Sequence, residues 1–141
     1  VFLEYWDNPK ATSESFKDGW FCTGDVAVWE DGFYRIMGRS SVDIIKSGGY
    51  KLSALEIEGV LLTHDDIAEV AVIGVPDDTW GEAVTAFIGL KPGASLEYED
   101  LKTWCEGRMS SYKIPKHIKL VDALPRNAMG KVTKPALKEL V

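Results

Sequence analysis

Residues 67–75 and 84–90 are two apolar runs rich in β-branched side chains, set apart by a segment that opens Pro76-Asp77-Asp78. Runs of that length and composition fit strands, and turn residues between them predict two adjacent strands in one sheet. The stretch from Val70 to Pro76 reads as a buried strand.

The flanking segments supply covering elements. Ser53-Ala54-Leu55-Glu56 reads as a capping box, in which Ser53 accepts from the Glu56 amide and the Glu56 side chain reaches back. The helix that follows places Leu55, Ile57, Val60, Leu61 and Leu62 on or near one apolar stripe and stops near Thr63-His64-Asp65. Leu96, Leu101, Trp104 and Cys105 stand at helical spacing, which predicts a helix over 97–109. A last strand is expected at 118–121, and Thr133-Lys134-Pro135 opens a terminal helix.

Upstream, Asn8-Pro9 reads as an N-cap with proline at the first helical position, for a short helix to about Phe16. Lys17-Asp18-Gly19 then turns the chain. Residues 25–30 and 33–37 form a hairpin across Asp31-Gly32, broken at Gly38. Residues 42–46 and 50–52 read as short strands joined by a tight turn at Gly48-Gly49. Hairpins mixed with helices, without regular βαβ alternation, predict an α+β fold: a short sheet flanked by helices, with a β-hairpin before it. A boundary falls near residues 38–42, followed by a unit of about 100 residues, a normal domain size.

Composition narrows the function. An apolar content of 45% supplies a core and argues against disorder. The formal net charge of −6 argues against a general nucleic-acid binder. That total is uneven: residues 107–141 hold eight basic and two acidic side chains, net +6, so residues 1–106 carry −12. A basic tail on an acidic body suits a local anionic ligand, although a solvated charged face has the same composition. No apolar run approaches the roughly 20 residues of a membrane span, and no signal-peptide pattern opens the sequence. Cys22 and Cys105 form no CxxC pair, so a reducing compartment is expected.

Three segments hold candidate chemistry. Thr23-Gly24-Asp25 puts a carboxylate after a glycine, where it can accept from a ribose diol or close a turn. Residues 38–51 combine Arg39, Lys46 and Lys51 with Gly38, Gly48 and Gly49. Glycines admit close backbone approach, and the cations can meet phosphate oxygens or snorkel into solvent. The GxxxxGK[ST] spacing of a Walker loop is missing. Pro125-Arg126-Asn127-Ala128-Met129-Gly130-Lys131 holds a lysine that can neutralise a phosphoryl or carboxylate charge, or remain a solvated loop residue. His64 and His117 stand alone, so no metal site or triad is put forward, and each is expected at the surface or as a cap. The five tryptophans, Trp6, Trp20, Trp29, Trp80 and Trp104, read as core or interface packing.

In order and spacing, residues 18–25, residues 38–49 with Glu56-Ile57-Glu58, and residues 125–131 resemble the acyl-adenylate-forming superfamily: acyl-CoA synthetases, carrier-protein adenylation domains and luciferase-like enzymes. Val1-Phe2-Leu3-Glu4-Tyr5-Trp6 with Asn8-Pro9 is also similar to it. Residues 41–56 and 124–131 most resemble malonyl-CoA synthetases. The resemblance implies a large N-terminal AMP-binding domain ending at about residue 40, and a C-terminal domain over 41–141 that closes on it and then swings round for the thioester step.

The resemblance also implies roles. Asp25 would hold the ribose hydroxyls of ATP, Ile36 would line the adenine-ribose site, and Arg39 would contact ribose and phosphate. Lys131 would be the adenylation lysine. Lys51 would face the adenylate phosphate, Gly48 and Gly49 would line the pantetheine channel, and Arg108 would meet the nucleotide end of CoA. Many relatives carry aspartate or lysine two residues after the arginine. Here that place is Ser41, with one extra residue before Asp43, so the hinge is expected at Ser41 or Val42.

The expected activity is an ATP-dependent acid–CoA ligase that forms acyl-AMP and then acyl-CoA, on malonate or a small relative. Its cofactors would be ATP, CoA and Mg2+, the last bound mainly by the N-terminal domain. The expected compartment is intracellular, mitochondrial or cytoplasmic. The alternatives are an adenylation domain loading a carrier protein and a non-catalytic module that kept the fold. Lacking the phosphate loop, these residues alone are expected to be inactive.

Overall fold

The computed structural model describes residues 2–141, so the part of the N-terminal resemblance that falls on Val1 lies outside the described residues. The two apolar runs form β7 (Ile67–Asp77) and β8 (Gly81–Leu90), paired antiparallel from Ile67 opposite Leu90 to Asp77 opposite Gly81. The strands run on past the expected turn, which tightens to Asp78-Thr79-Trp80. There Asp77 Oδ1 accepts from the amides of Thr79 and Trp80. Pro76 is tolerated inside β7 because β7 is an edge strand.

Across β8, the first residue Gly81 pairs with β5 (Ile44–Ser47), itself paired with β6 (Tyr50–Ser53). Farther along, β8 runs parallel to β9 (His117–Leu120). This five-stranded sheet, mostly antiparallel with helices against it, is the α+β architecture expected from the pattern.

The β7–β8 pair is apolar over most of its length because both its faces are covered. Val70, Val72, Val84, Ala86 and Ile88 pack on one side with Ile57 and Leu61 of α2 (Ala54–Leu61) and Leu101 and Cys105 of α3 (Tyr98–Cys105). Ala71, Ile73 and Phe87 point the other way, onto Leu124 and onto Leu137 of α4 (Lys134–Leu137). Alternation with period two delivers both sets from the same strands. Burial in the Cys105 environment pushes its thiol pKa up, so this cysteine behaves as a small hydrophobe.

Several local expectations are corrected. The α2 stripe is Ala54, Ile57 and Leu61, while Leu55 and Leu62 are exposed. Only half of the capping box forms. Ser53 Oγ accepts from the Glu56 amide, but the Glu56 carboxylate turns to Lys113 Nζ at 2.5 Å. Helix α3 ends at Cys105 rather than 109, because Gly107 adopts φ +76° and the amides of Arg108 and Met109 fold back onto the Cys105 carbonyl. The strand expected from 42 starts at Ile44, behind a turn in which the amides of Val42 and Asp43 donate to Arg39 O.

Upstream, α1 (Pro9–Ser15) is capped by Asn8 Oδ1, which accepts from the Ala11 amide. A two-residue pair, β1 (Phe16–Lys17) with β2 (Trp20–Phe21), turns through Asp18 and Gly19, both at positive φ as a primed hairpin turn requires. The rings of Phe2, Tyr5, Phe16 and Phe21 cluster beside it. The longer hairpin is β3 (Asp25–Glu30) with β4 (Phe33–Arg39).

Gly38 does not end this hairpin. It lies within β4 opposite Val26, next to a register shift, and so brings Arg39 opposite Asp25. The backbone there is at φ +121°, and a Cβ on Gly38 would stand 2.4 Å from Asp43 Cβ. Gly38→Ala is therefore expected to destabilise the protein by about 1–3 kcal/mol through backbone strain, before the overlap is counted. Urea unfolding of the purified variant checks this, and an unchanged midpoint would contradict it.

The tryptophans depart from a core reading. Trp6, Trp20, Trp29 and Trp80 are exposed among the described residues, and Trp104 is half-buried.

Candidate functional site

Two strands and one loop bring the first set of side chains together. Asp25 opens β3 and Arg39 closes β4, so the hairpin register sets them opposite each other, with Arg39 Nε 3.7 Å from Asp25 Oδ1. Thr23 Oγ1 accepts from the Asp25 amide, so the Thr-Gly-Asp turn forms through threonine rather than through the Asp25 carboxylate. Ile36 lies on the same strand as Arg39, opposite Ala27, and is 57% exposed.

Lys131 arrives from the other end of the chain. Asn127 organises its loop: Asn127 Oδ1 accepts from the amides of Met129 and Lys131, and the Asn127 amide donates to Lys131 O at 2.9 Å. Arg126 braces it, with Nη1 donating to Gly130 O at 2.9 Å and Nη2 2.5 Å from Glu69 Oε2 on β7. Glu69 also accepts from the Leu124 amide. That bond and Arg126 hold its carboxyl below the usual range against the opposing effect of burial. The side chain of Lys131 is left exposed at the end of this brace.

Arg39 and Lys131 line one open cleft of about 490 Å³, with Val42, Leu55, Asn127 and Pro135 among its walls. A guanidinium and an ammonium on one cleft can hold an anionic group between them.

In the wall of that cleft lies a cluster that sequence reasoning missed. Lys134 Nζ is 2.6 Å from Asp43 Oδ1 and 2.7 Å from Glu58 Oε1, and all three side chains are only 12–13% exposed. Both carboxylates also accept from the backbone. Asp43 Oδ2 accepts from the Arg39 amide at 2.9 Å, and Glu58 Oε1 from the Val72 amide at 2.7 Å. Burial pushes the Glu58 carboxyl up, and Lys134 opposes that shift. In the sequence these are three charged residues far apart. The available signal was their clustering around the glycine-arginine and glycine-lysine motifs.

A second group surrounds the Gly48-Gly49 turn. Both glycines have positive φ, which suits them to the tight connection of β5 and β6. The Gly48 amide donates to Trp80 O at 2.9 Å, and a Cβ on Gly48 would press on the Trp80 ring at 3.2 Å. Lys116 Nζ lies 4.7 Å from the centroid of that ring, and Tyr50 stacks on Tyr112 at 4.4 Å between centroids. Trp80, Lys116, Tyr50 and Tyr112 were not singled out from sequence as site residues.

The other expected residues lie elsewhere. Lys51 sits directly opposite Lys46 and lines a neighbouring cleft with Val26, Met37, Ser40 and Ile44, not the Arg39–Lys131 cleft. Arg108 lines a third cleft with Glu56, Ile57, Met109 and Lys113. Its guanidinium lies over Trp104 at 4.5 Å and donates to Trp104 O at 2.6 Å. His64 Nδ1 accepts from the Asp66 amide, so it serves as a local cap. Ser41 is exposed and Val42 half-buried, in the turn between β4 and β5. Among the described residues no group of three or more His, Cys, Asp or Glu side chains is arranged to hold a metal ion.

Comparison with known proteins shows the family. The profile of the AMP-binding enzyme C-terminal domain matches residues 56–131. The mitochondrial malonate–CoA ligase ACSF3 of Bos taurus is 57% identical over 135 residues, covering 95% of this chain. This chain spans about a quarter of the length of that relative, 23%. The crystal structure of ATP-bound MatB from Rhodopseudomonas palustris superposes with a TM-score of 0.88 at 37% identity, over 99% of this chain and 28% of that one. Apo MatB, with the same coverage and 38% identity, superposes at 0.73. The profile spans more than half of the chain and the bovine relative is 57% identical over nearly all of it, so the chain belongs to the AMP-binding enzyme C-terminal domain family.

Proposed function

We propose that the chain is the C-terminal part of an ATP-dependent carboxylic acid–CoA ligase acting on malonate or a short relative. The observation that carries this reading is the placement of Arg39 and Lys131 on one cleft, with Asp25 beside Arg39. In it, residues 1–40 end a large AMP-binding domain and residues 41–141 form the small domain. The exposed aromatics of the hairpin, Trp29, Phe33 and Tyr34 with Ile36, face that larger domain.

In the first half-reaction the acid's carboxylate attacks the α-phosphate of ATP, and the bond to the β-phosphate breaks, giving acyl-AMP and pyrophosphate. Asp25 accepts from the ribose hydroxyls, Ile36 packs beside the adenine and ribose, and Arg39 meets ribose and phosphate. Lys131 Nζ bridges the attacking carboxylate and the α-phosphate. It offsets charge as the leaving group departs, a role of position and charge rather than proton transfer. Lys51 faces the adenylate phosphate from the adjoining cleft.

In the second half-reaction the thiol of CoA displaces AMP at the acyl carbon. Gly48 and Gly49 leave room for pantetheine, with Trp80 and the Tyr50–Tyr112 stack as apolar wall and Lys116 as a nearby cation. Arg108, pinned over Trp104, meets the nucleotide end of CoA. Magnesium would be held mainly by the N-terminal domain and would offset charge on the ATP phosphates. An intracellular compartment, mitochondrial or cytoplasmic, fits this reading, and the relative named above is mitochondrial by its name.

Between the two steps the small domain turns about Ser41 and Val42. Ser40 is tied to the hairpin through its amide and hydroxyl, both donating to Gly24 O, and Asp43 is tied to Lys134. Ser41 and Val42 lie between these two anchors, and the Asp43–Arg39 hydrogen bonds that span them must open for the turn. The higher superposition score with ATP-bound than with apo MatB supports assigning the present arrangement to the adenylation side.

The test is pyrophosphate exchange into ATP by the full-length protein with malonate, followed by malonyl-CoA formation on adding CoA. Both are expected. Exchange without thioester formation on CoA, but with loading of a carrier-protein thiol, would replace this reading by an adenylation domain.

A further inference from the structure

We propose that Lys134 is a positioning residue for adenylation: its ammonium, clamped between Asp43 and Glu58, sets Arg39 and Lys131 at a fixed separation across their shared cleft. This rests on the ligase reading above and adds to it a residue that acts through Arg39 and Lys131.

The connections run in both directions from one nitrogen. Toward Arg39, Lys134 Nζ holds Asp43 Oδ1, and the second oxygen of the same carboxylate accepts from the Arg39 amide at 2.9 Å. The Asp43 amide donates back to Arg39 O at 2.8 Å, so Arg39 is held at both backbone groups. Toward Lys131, Lys134 lies three residues on, at the start of α4, and α4 is anchored by the buried Leu137. Glu58 fastens the ammonium to α2 and, through the Val72 amide, to β7. Asp43, Glu58 and Lys134 themselves lie in the wall of the cleft that Arg39 and Lys131 share.

A buried three-way contact of this kind is geometrically demanding, because each charge must be matched by fixed partners. A solvated surface lysine would confer no such definition. Two cations that must meet one carboxylate and one α-phosphate depend on separation at the ångström scale, since a misplacement of about 1 Å can cost on the order of a hundredfold in rate. The thioester step uses Gly48 and Gly49 on another face, so it does not depend on the Arg39–Lys131 separation.

The experiment compares both half-reactions in the full-length protein carrying Lys134→Gln or Lys134→Arg, with circular dichroism to check folding. In Lys134→Gln, malonate-dependent ATP–pyrophosphate exchange is expected to fall by roughly 30-fold or more, while thioester formation from supplied malonyl-AMP and CoA stays within about 3-fold. Lys134→Arg, which retains the charge, is expected to restore most of the exchange. If Lys134→Gln fails to fold, Lys134→Gln with Glu58→Gln removes one uncompensated carboxylate, and the same split is expected. A parallel fall in both half-reactions, or exchange that is unchanged, would overturn the proposal. Loss of both half-reactions in the unaltered protein would instead refute the ligase reading, and this proposal with it.

Discussion

Lys131→Ala in the full-length protein is expected to abolish acid-dependent pyrophosphate exchange while leaving thioester formation from supplied acyl-AMP. Removing one group that stabilises developing charge in a dry site costs about 10²–10³ in rate, and this lysine is assigned contacts to both reacting partners. Its loop is braced independently of its side chain, through Asn127, Arg126 and Glu69, so the alanine variant should keep the loop's conformation. Arginine and glutamine are expected to fail as replacements. The guanidinium is planar and bulkier than an ammonium, and the amide carries no charge. Exchange at the normal rate in Lys131→Ala would refute the role assigned to it.

The second large effect concerns stability. Lys134→Met leaves the Asp43 and Glu58 carboxylates facing each other in a nearly buried site. Breaking a buried ion pair by removing one partner costs about 3–5 kcal/mol. The pH dependence has a definite sign. Burial raises the Glu58 pKa in the folded state above its ordinary value, so the folded form holds its proton where the unfolded form has lost it. Stability therefore falls as pH rises from the ordinary carboxylate range through the raised value. Without Lys134, which lowers that pKa, the window extends upward. Lys134→Met should thus be least stable near neutral pH and recover part of its stability near pH 5, a contrast readable in thermal unfolding midpoints at the two pH values. A variant equally stable at both would show that the carboxylates are solvated after all.

Much of the fold was legible in the sequence because it rests on local rules. The β-branched runs became β7 and β8, Asn8-Pro9 began a helix, Asp31-Gly32 turned a hairpin, and Ser53 capped α2. The misreadings share a cause. Gly38 looked like a break, but the close approach of Asp43 requires a residue without a Cβ inside a continuing strand. The 97–109 helix ignored Gly107, whose positive φ turns the chain earlier. Leu55 and Leu62 fit a helical stripe by spacing, yet α2 meets the sheet along a narrower line through Ala54, Ile57 and Leu61.

Sequence by itself determined the element types, the α+β class and the motifs bearing Asp25, Arg39, Gly48, Gly49 and Lys131. Periodicity, turn chemistry and motif spacing act over a few residues and need no partner. Only the tertiary structure decided which charges meet. Asp43 and Lys134 are 91 residues apart, and no local rule separates a lysine in a solvated basic tail from one enclosed by two carboxylates. Burial, which makes such a contact consequential, is a property of the packed sheet and helices. So is the cleft where Arg39, from the end of a hairpin, faces the same space as Lys131, from a loop near the other end of the chain.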